Sequence, residues 1–135
     1  MITGINHVAT LTSDMDLTVG FYESVFGATV VHEIGPSDGH PWMKIVELGG
    51  GASLNVFEVP SEDIVGERER IGGRGAIDHF GIGVDSLAAI EGLRTRLVDS
   101  AAREVGQIQQ LGAEWSLFFR DPDGMDLEIC APVSS

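Results

Sequence analysis

Ile77-Asp78-His79-Phe80-Gly81-Ile82-Gly83-Val84 reads as a β-strand with a histidine near its start. A relative of it stands early in the sequence, Ile5-Asn6-His7-Val8-Ala9. The two histidines are 72 positions apart in 135 residues, and each opens one half of the chain. This spacing predicts a duplicated module, with the two histidines as candidates for one shared site.

Working outward, each half carries the same order of elements. In the first, a strand over about 2–12 leads to Ser13 and Asp14, both good helix caps. Met15, Val19, Tyr22 and Phe26 then fall at helical spacing, and Gly27 is placed to end that helix. Ala28–Ile34 reads as a strand, and the loop to Pro41 is full of turn residues. Trp42–Leu48 and Ala52–Val59 are further strands around a Gly49-Gly50-Gly51 turn. The second half starts with Ile77–Val84. Asp85 or Ser86 caps a helix with the stripe Leu87, Ile90, Leu93 or Arg94, Leu97 and Ala101. Strands follow over Glu104–Leu111, Ala113–Arg120 and Met125–Ala131, the last two joined by the turn Asp121-Pro122-Asp123-Gly124. The predicted fold is therefore α+β, a single domain of two tandem βαβββ modules. Module one covers about 1–59 and module two about 77–132. A charged, glycine-rich linker over about 60–76, with room for a short helical piece, joins them.

The repeat also pairs Gly51-Ala52-Ser53-Leu54-Asn55-Val56 with Gly124-Met125-Asp126-Leu127-Glu128-Ile129, at an offset of 73. Asn55 thus takes the place that Glu128 holds in the other half. Side chains alternate across a strand. His79 then shares a face with Gly81 and Gly83, Glu128 with Asp126 and Cys130, and Asn55 with Ser53 and Phe57. The opposite faces are apolar and suit packing under helices. Alone, each histidine is more often a core or surface residue, and Glu128 a solvated one. Together, at equivalent places on matched faces, His7, His79 and Glu128 form a candidate three-ligand site for a divalent metal. Asn55 is a possible fourth oxygen ligand or substrate contact. Trp42, Phe57 and Trp115 are candidate pocket walls. His32 and His40 read as surface residues, and Cys130 as a small buried residue rather than a nucleophile. Tyr22 and Glu47 are minor candidates for supporting roles.

The bulk composition fits a globular protein: 43% hydrophobic and 21% charged residues. A net charge of −13 opposes nucleic-acid binding. No run approaches the roughly 18 apolar residues of a membrane span. No signal pattern opens the sequence and a single cysteine precludes an internal disulfide framework, so a cytoplasmic location is expected.

The chain resembles the vicinal oxygen chelate superfamily, which includes glyoxalase I, extradiol dioxygenases, fosfomycin-resistance enzymes, methylmalonyl-CoA epimerase and bleomycin-resistance proteins. The resemblance is carried by Ile5-Asn6-His7-Val8, Phe21-Tyr22 with Phe26-Gly27, Ile77-Asp78-His79-Phe80-Gly81, and Phe119-Arg120-Asp121-Pro122-Asp123-Gly124 followed by Leu127-Glu128-Ile129. It implies a cupped half-barrel of mixed sheet, a divalent ion (Fe, Mn, Ni, Zn, Mg or Co) held by His7, His79 and Glu128, and a small-molecule substrate with vicinal oxygens. It also implies a homodimer, with each site formed either within one chain or from modules of both. Glu128 is the ligand that can double as a base. Lyase, isomerase and dioxygenase chemistry all occur in the family, and drug sequestration of the bleomycin-resistance type is the alternative. Asn55 stands where glyoxalase I has a second glutamate, and Ala9 where fosfomycin enzymes have a threonine.

Overall fold

A computed structural model of the chain describes residues 1–64 and 75–133. It divides into two compact units, Met1–Val65 and Gly66–Ser135. The expected linker residues 65–74 lie outside the described residues, and Ser61–Asp63 before them forms a 3-10 turn.

The first unit comprises β1 (His7–Thr12), α1 (Met15–Phe26), β2 (Thr29–Ile34), β3 (Met43–Gly49) and β4 (Ala52–Glu58). Its sheet has the order β1-β4-β3-β2, with β1 parallel to β4 and the other neighbours antiparallel. Asp14 caps α1 by accepting from the Leu17 amide at 3.1 Å. Gly27 ends it at φ +68°, a conformation glycine adopts without a Cβ clash. Between those caps, Met15, Val19, Tyr22 and Val25 are all at most 2% exposed. They pack on the sheet face that carries Leu54 and Val56. Two polar contacts fix the helix there: the Thr12 and Thr18 hydroxyls are 2.9 Å apart, and the Met15 amide donates to Glu58 Oε2 at 2.9 Å. Each fully buried aliphatic side chain contributes roughly 1.5–3 kcal/mol, so this face stabilises the unit and leaves the other face for function.

The second unit repeats the plan with β5 (Phe80–Gly83), α2 (Leu87–Val98), β6 (Gln109–Leu111), β7 (Glu114–Arg120) and β8 (Asp126–Pro132). The strand order is β5-β8-β7-β6, with β5 parallel to β8. Ser86 caps α2 by accepting from the Ala89 amide at 3.2 Å. Ile90 and Leu97 of α2 are fully buried, as are Leu117, Leu127, Ile129 and Ala131 of the sheet. The β7–β8 turn closes as expected. Gly124 sits at φ +81° and donates its amide to the Asp121 carbonyl at 2.9 Å. The Asp121 carboxylate, 3% exposed, accepts from the Asp123 and Met125 amides at 3.0 and 2.9 Å.

The sequence placed all the elements in order but several limits differ. The first strand begins at His7 rather than residue 2, and the His79 strand proper covers only Phe80–Gly83. A parallel strand extends only where its partner runs beside it, and β8 reaches no further than Asp126 at that end. Ala101 lies beyond the end of α2. The expected strand over Glu104–Leu111 survives only as Gln109–Leu111. Glu104 adopts φ +50°, which breaks the extended path. The segment instead follows β7 through an Arg103–Arg120 bridge and a Gly106 amide bonded to the Phe118 carbonyl at 2.9 Å.

Candidate metal centre

In the second unit, His79 stands just ahead of β5, two residues before Gly81, and Gly81 pairs directly with Glu128 of β8. That diagonal brings His79 Nε2 to 3.2 Å from Glu128 Oε2. The other ring nitrogen, Nδ1, donates to Asp78 Oδ2 at 2.8 Å. Ser116 Oγ, from β7, donates to Glu128 Oε1 at 2.5 Å. Each of the two groups therefore has one atom committed to a supporting partner and one atom turned toward the other. Phe118 meets the imidazole edge-to-face with ring centres 5.3 Å apart, fixing the ring plane. The Asp78 carboxylate first, and Glu128 with it, outweigh partial burial and hold the His79 imidazole above its ordinary value.

The first unit carries the equivalent arrangement. His7 Nδ1 is 2.8 Å from Asn6 Oδ1, the residue before the histidine again acting as acceptor. His7 lies two residues before Ala9, and Ala9 pairs with Asn55 as Gly81 pairs with Glu128. Asparagine is one methylene shorter than glutamate. Its Oδ1 is buried and has no hydrogen-bond partner among the described residues, a costly state for a polar atom unless a ligand or ion satisfies it.

These observations fit a metal. Two ligand atoms each about 2.1 Å from one ion, at octahedral or tetrahedral angles, are about 3.0–3.4 Å apart. The 3.2 Å separation of Nε2 and Oε2 falls in that interval. A histidine whose Nδ1–H is held by a carboxylate or amide oxygen presents Nε2 with its lone pair outward, the usual supporting arrangement for a ligand histidine. Among the described residues, no three His, Cys, Asp or Glu side chains converge as a complete metal cluster; the described pair is His79 and Glu128.

The remaining sequence candidates divide by face. Phe57 shares a face with Asn55, as expected. Trp115 does not share the Glu128 face: it alternates with Ser116 and lies with Leu117 and Phe119, both buried toward α2. Phe118, directly opposite Glu128, takes the wall position expected of Trp115. Trp42 likewise sits on the α1 side with Lys44, donating Nε1–H to Glu33 at 2.7 Å under the Lys44 ammonium. Tyr22 is a core residue, 1% exposed and stacked on Phe26. Glu47 is exposed on the face of Asn55. His32 is exposed, whereas His40 is half-buried beside Phe57. Cys130 lies on the Glu128 face, and burial, with Glu128 beside it, pushes its thiol up to about 12, so it is no nucleophile at neutral pH.

Asp78, Ser116 and Phe118 are the residues that sequence reasoning did not assign. A signal for each existed. Asn6 and Asp78 are both short side chains with an acceptor oxygen, at the repeat spacing of the histidines. Phe118 and Glu128 are equidistant from Asp123, so the turn alone fixes their pairing, and Ser116 follows by alternation.

Comparison with known proteins matches this architecture. The chain is 25% identical over 126 residues to the uncharacterized protein YaeR of Escherichia coli (strain K12), covering 93% of each. The glyoxylase/bleomycin resistance protein/dioxygenase domain from Frankia sp. EAN1pec superposes with a TM-score of 0.81 at 24% identity, over 98% of this chain and 99% of that one. A variant of the genomically encoded fosfomycin resistance protein FosX from Listeria monocytogenes, complexed with Mn(II) and 1S,2S-dihydroxypropylphosphonic acid, superposes with a TM-score of 0.75 at 19% identity, over 98% and 95% of the two chains. The family model for the Glyoxalase/Bleomycin resistance protein/Dioxygenase superfamily matches residues 4–129. With its paired βαβββ modules and that match over nearly its whole length, the chain belongs to the glyoxalase/bleomycin resistance protein/dioxygenase superfamily.

Proposed function

We propose that the chain is a divalent-metal-dependent enzyme acting on a small substrate with vicinal oxygens. His7, His79 and Glu128 are its metal ligands, and Asn55 contributes a further oxygen to the ion or to the substrate. The observation that carries this reading is the His79 Nε2–Glu128 Oε2 pair at 3.2 Å, with Asp78 and Ser116 holding the far atoms of both groups. The FosX complex with Mn(II) supports it by analogy of fold and makes Mn(II) the first ion to test. When bound, the ion supplies Lewis acidity and a template for two substrate oxygens.

The chain's own residues supply the rest. Asp78 and Asn6 orient the two imidazoles and keep Nε2 as the ligating atom. Ser116 fixes Glu128 through Oε1, leaving Oε2 as the atom that binds or takes up a proton. Phe118 and the bare Gly81 and Gly83 give the site one apolar wall and an open approach. At Gly83 an added Cβ would meet nothing within 4 Å, and at Gly81 it would make ordinary contacts with Cys130 Sγ at 3.5 Å and the Glu128 carbonyl oxygen at 3.9 Å. Asn55 is an acceptor but no base, so proton transfer falls to Glu128. We further propose a homodimer, with His7 joining His79 and Glu128 from the same chain or from the second copy.

Metal analysis of the purified protein tests this. Wild type is expected to hold close to one divalent ion per site, and His7→Ala, His79→Ala and Glu128→Gln to lose most of it. Unchanged metal content in the three variants sinks the assignment. Mixing His7→Ala with Glu128→Gln protein restores part of the metal only where two copies share a site.

A further inference from the structure

The strand register of the first unit sorts the face opposite α1 into rows that cross all four strands. His7 belongs to the first row and Asn55 to the second. The third row is Leu11, Phe57, Met43 and Ile34, apolar in every strand. Successive same-face residues on a strand are about 6.6–6.8 Å apart. The apolar row therefore starts roughly one step beyond Asn55 and two beyond His7. It is not part of the α1 core, which occupies the other face, and Leu11 and Ile34 remain 45% and 39% exposed. The buried, unpartnered Asn55 Oδ1 lies between this row and His7. That atom, already given to the ion or to the substrate in the metal-centred reading, marks the point from which a bound molecule would continue onto the row.

His40 closes one end. Its ring centre is 6.1 Å from that of Phe57. Its Nδ1–H donates to the Pro41 carbonyl at 2.7 Å, and reciprocal Ser37–His40 backbone hydrogen bonds of 3.0 Å hold the loop behind it. The ring is thus a fixed wall rather than a freely rotating surface group.

We propose that the substrate carries an aromatic or branched apolar group beyond its chelating oxygens, and that this group lies on the Leu11–Phe57–Met43–Ile34 row against His40. This rests on the metal-centred reading above and narrows it. A substrate of three or four carbons would end near Asn55 and leave the row empty. A ring attached to the chelating oxygens, with a further ring or alkyl group beyond it, spans from the His7 row to Phe57.

Hydroxamic acids test the idea, because each presents the same oxygen pair to a metal with a different tail. Binding of acetohydroxamic, benzohydroxamic and 4-phenylbenzohydroxamic acids to the Mn(II)-loaded protein is measured by calorimetry. Affinity is expected to rise by about tenfold or more along the series. Leu11→Ser, at an exposed site, and Phe57→Leu, which keeps an apolar side chain at a half-buried site, are expected to remove most of that gain and to leave acetohydroxamate binding unchanged. Equal affinities along the series, or a gain that survives both substitutions, overturns the proposal. So does a Leu11→Ser variant that changes only the oligomeric state, which assigns the row to contact between copies. A protein that binds neither Mn(II) nor acetohydroxamate overturns the metal-centred reading itself, and this inference with it.

Discussion

Asp78→Ala removes the carboxylate that holds His79 Nδ1 at 2.8 Å and leaves Nε2, the proposed ligand atom, in place. Losing such a support typically weakens metal binding by about 10–100-fold. Asp78 is 58% exposed, so water screens the interaction and takes over part of its hydrogen bonding. The expected loss is therefore at the lower end, about tenfold, which corresponds to about 1.4 kcal/mol. Asn6→Ala, which removes a neutral amide oxygen from His7, is expected to cost less, because charge-assisted hydrogen bonds are roughly twice as strong as neutral ones. The assay is competition for Mn(II) against a chromophoric chelator at fixed pH and ionic strength. Asp38→Asn, an exposed loop carboxylate, serves as the control for net charge. Thermal unfolding of the metal-free variants checks that the fold persists. Affinity unchanged in Asp78→Ala, or reduced equally in Asp38→Asn, would refute the reasoning, since the effect would then be absent or merely long-range charge.

Three further outcomes are expected. In the metal-free protein, His79 titrates above its ordinary value, so its pairing stabilises the fold fully below about pH 6.5 and is lost as pH rises through the raised value; urea unfolding should show His79→Ala costing more at pH 6 than at pH 9. Cys130, with its thiol at about 12 against an ordinary 9.0, should react with iodoacetamide at pH 8 roughly a thousandfold more slowly than a free thiol, as followed by mass spectrometry; labelling at the free rate would show the thiol to be accessible and unperturbed. Leu127→Ala deletes a fully buried side chain from the sheet face under α2 and should cost about 2–5 kcal/mol in denaturant unfolding, whereas Leu11→Ala, at 45% exposure, should cost far less.

The helix signals were legible because they are local. Asp14 and Gly27 bracket α1, and Ser86 caps α2, through contacts spanning three or four residues. The Asp121–Gly124 turn was legible for the same reason. The strand over Glu104–Leu111 was not. Its polar Gln107, Gln109 and Gln110 gave no clear alternation, and the positive φ of Glu104 depends on how the segment meets β7. Which way Trp115 faces was not legible, because alternation gives two sets of side chains without saying which set lies under the helix. Leu117 and Phe119, on the same set as Trp115, settle that once α2 packs against β7 and β8.

By itself the sequence determined the duplicated βαβββ plan and the equivalence of His7 with His79 and of Asn55 with Glu128. Both are one-dimensional properties, read from spacing and residue type. Only the tertiary structure decided what those equivalences do. The parallel register of β5 on β8 sets Gly81 against Glu128 and so brings the His79 imidazole within 3.2 Å of the carboxylate. The same register of β1 on β4 leaves Asn55, one methylene shorter, with a buried oxygen that has no partner among the described residues. Register depends on hydrogen bonds between segments tens of residues apart. The supporting roles of Asp78, Ser116 and Phe118, and the apolar row on the opposite face from α1, came into view only with those bonds formed.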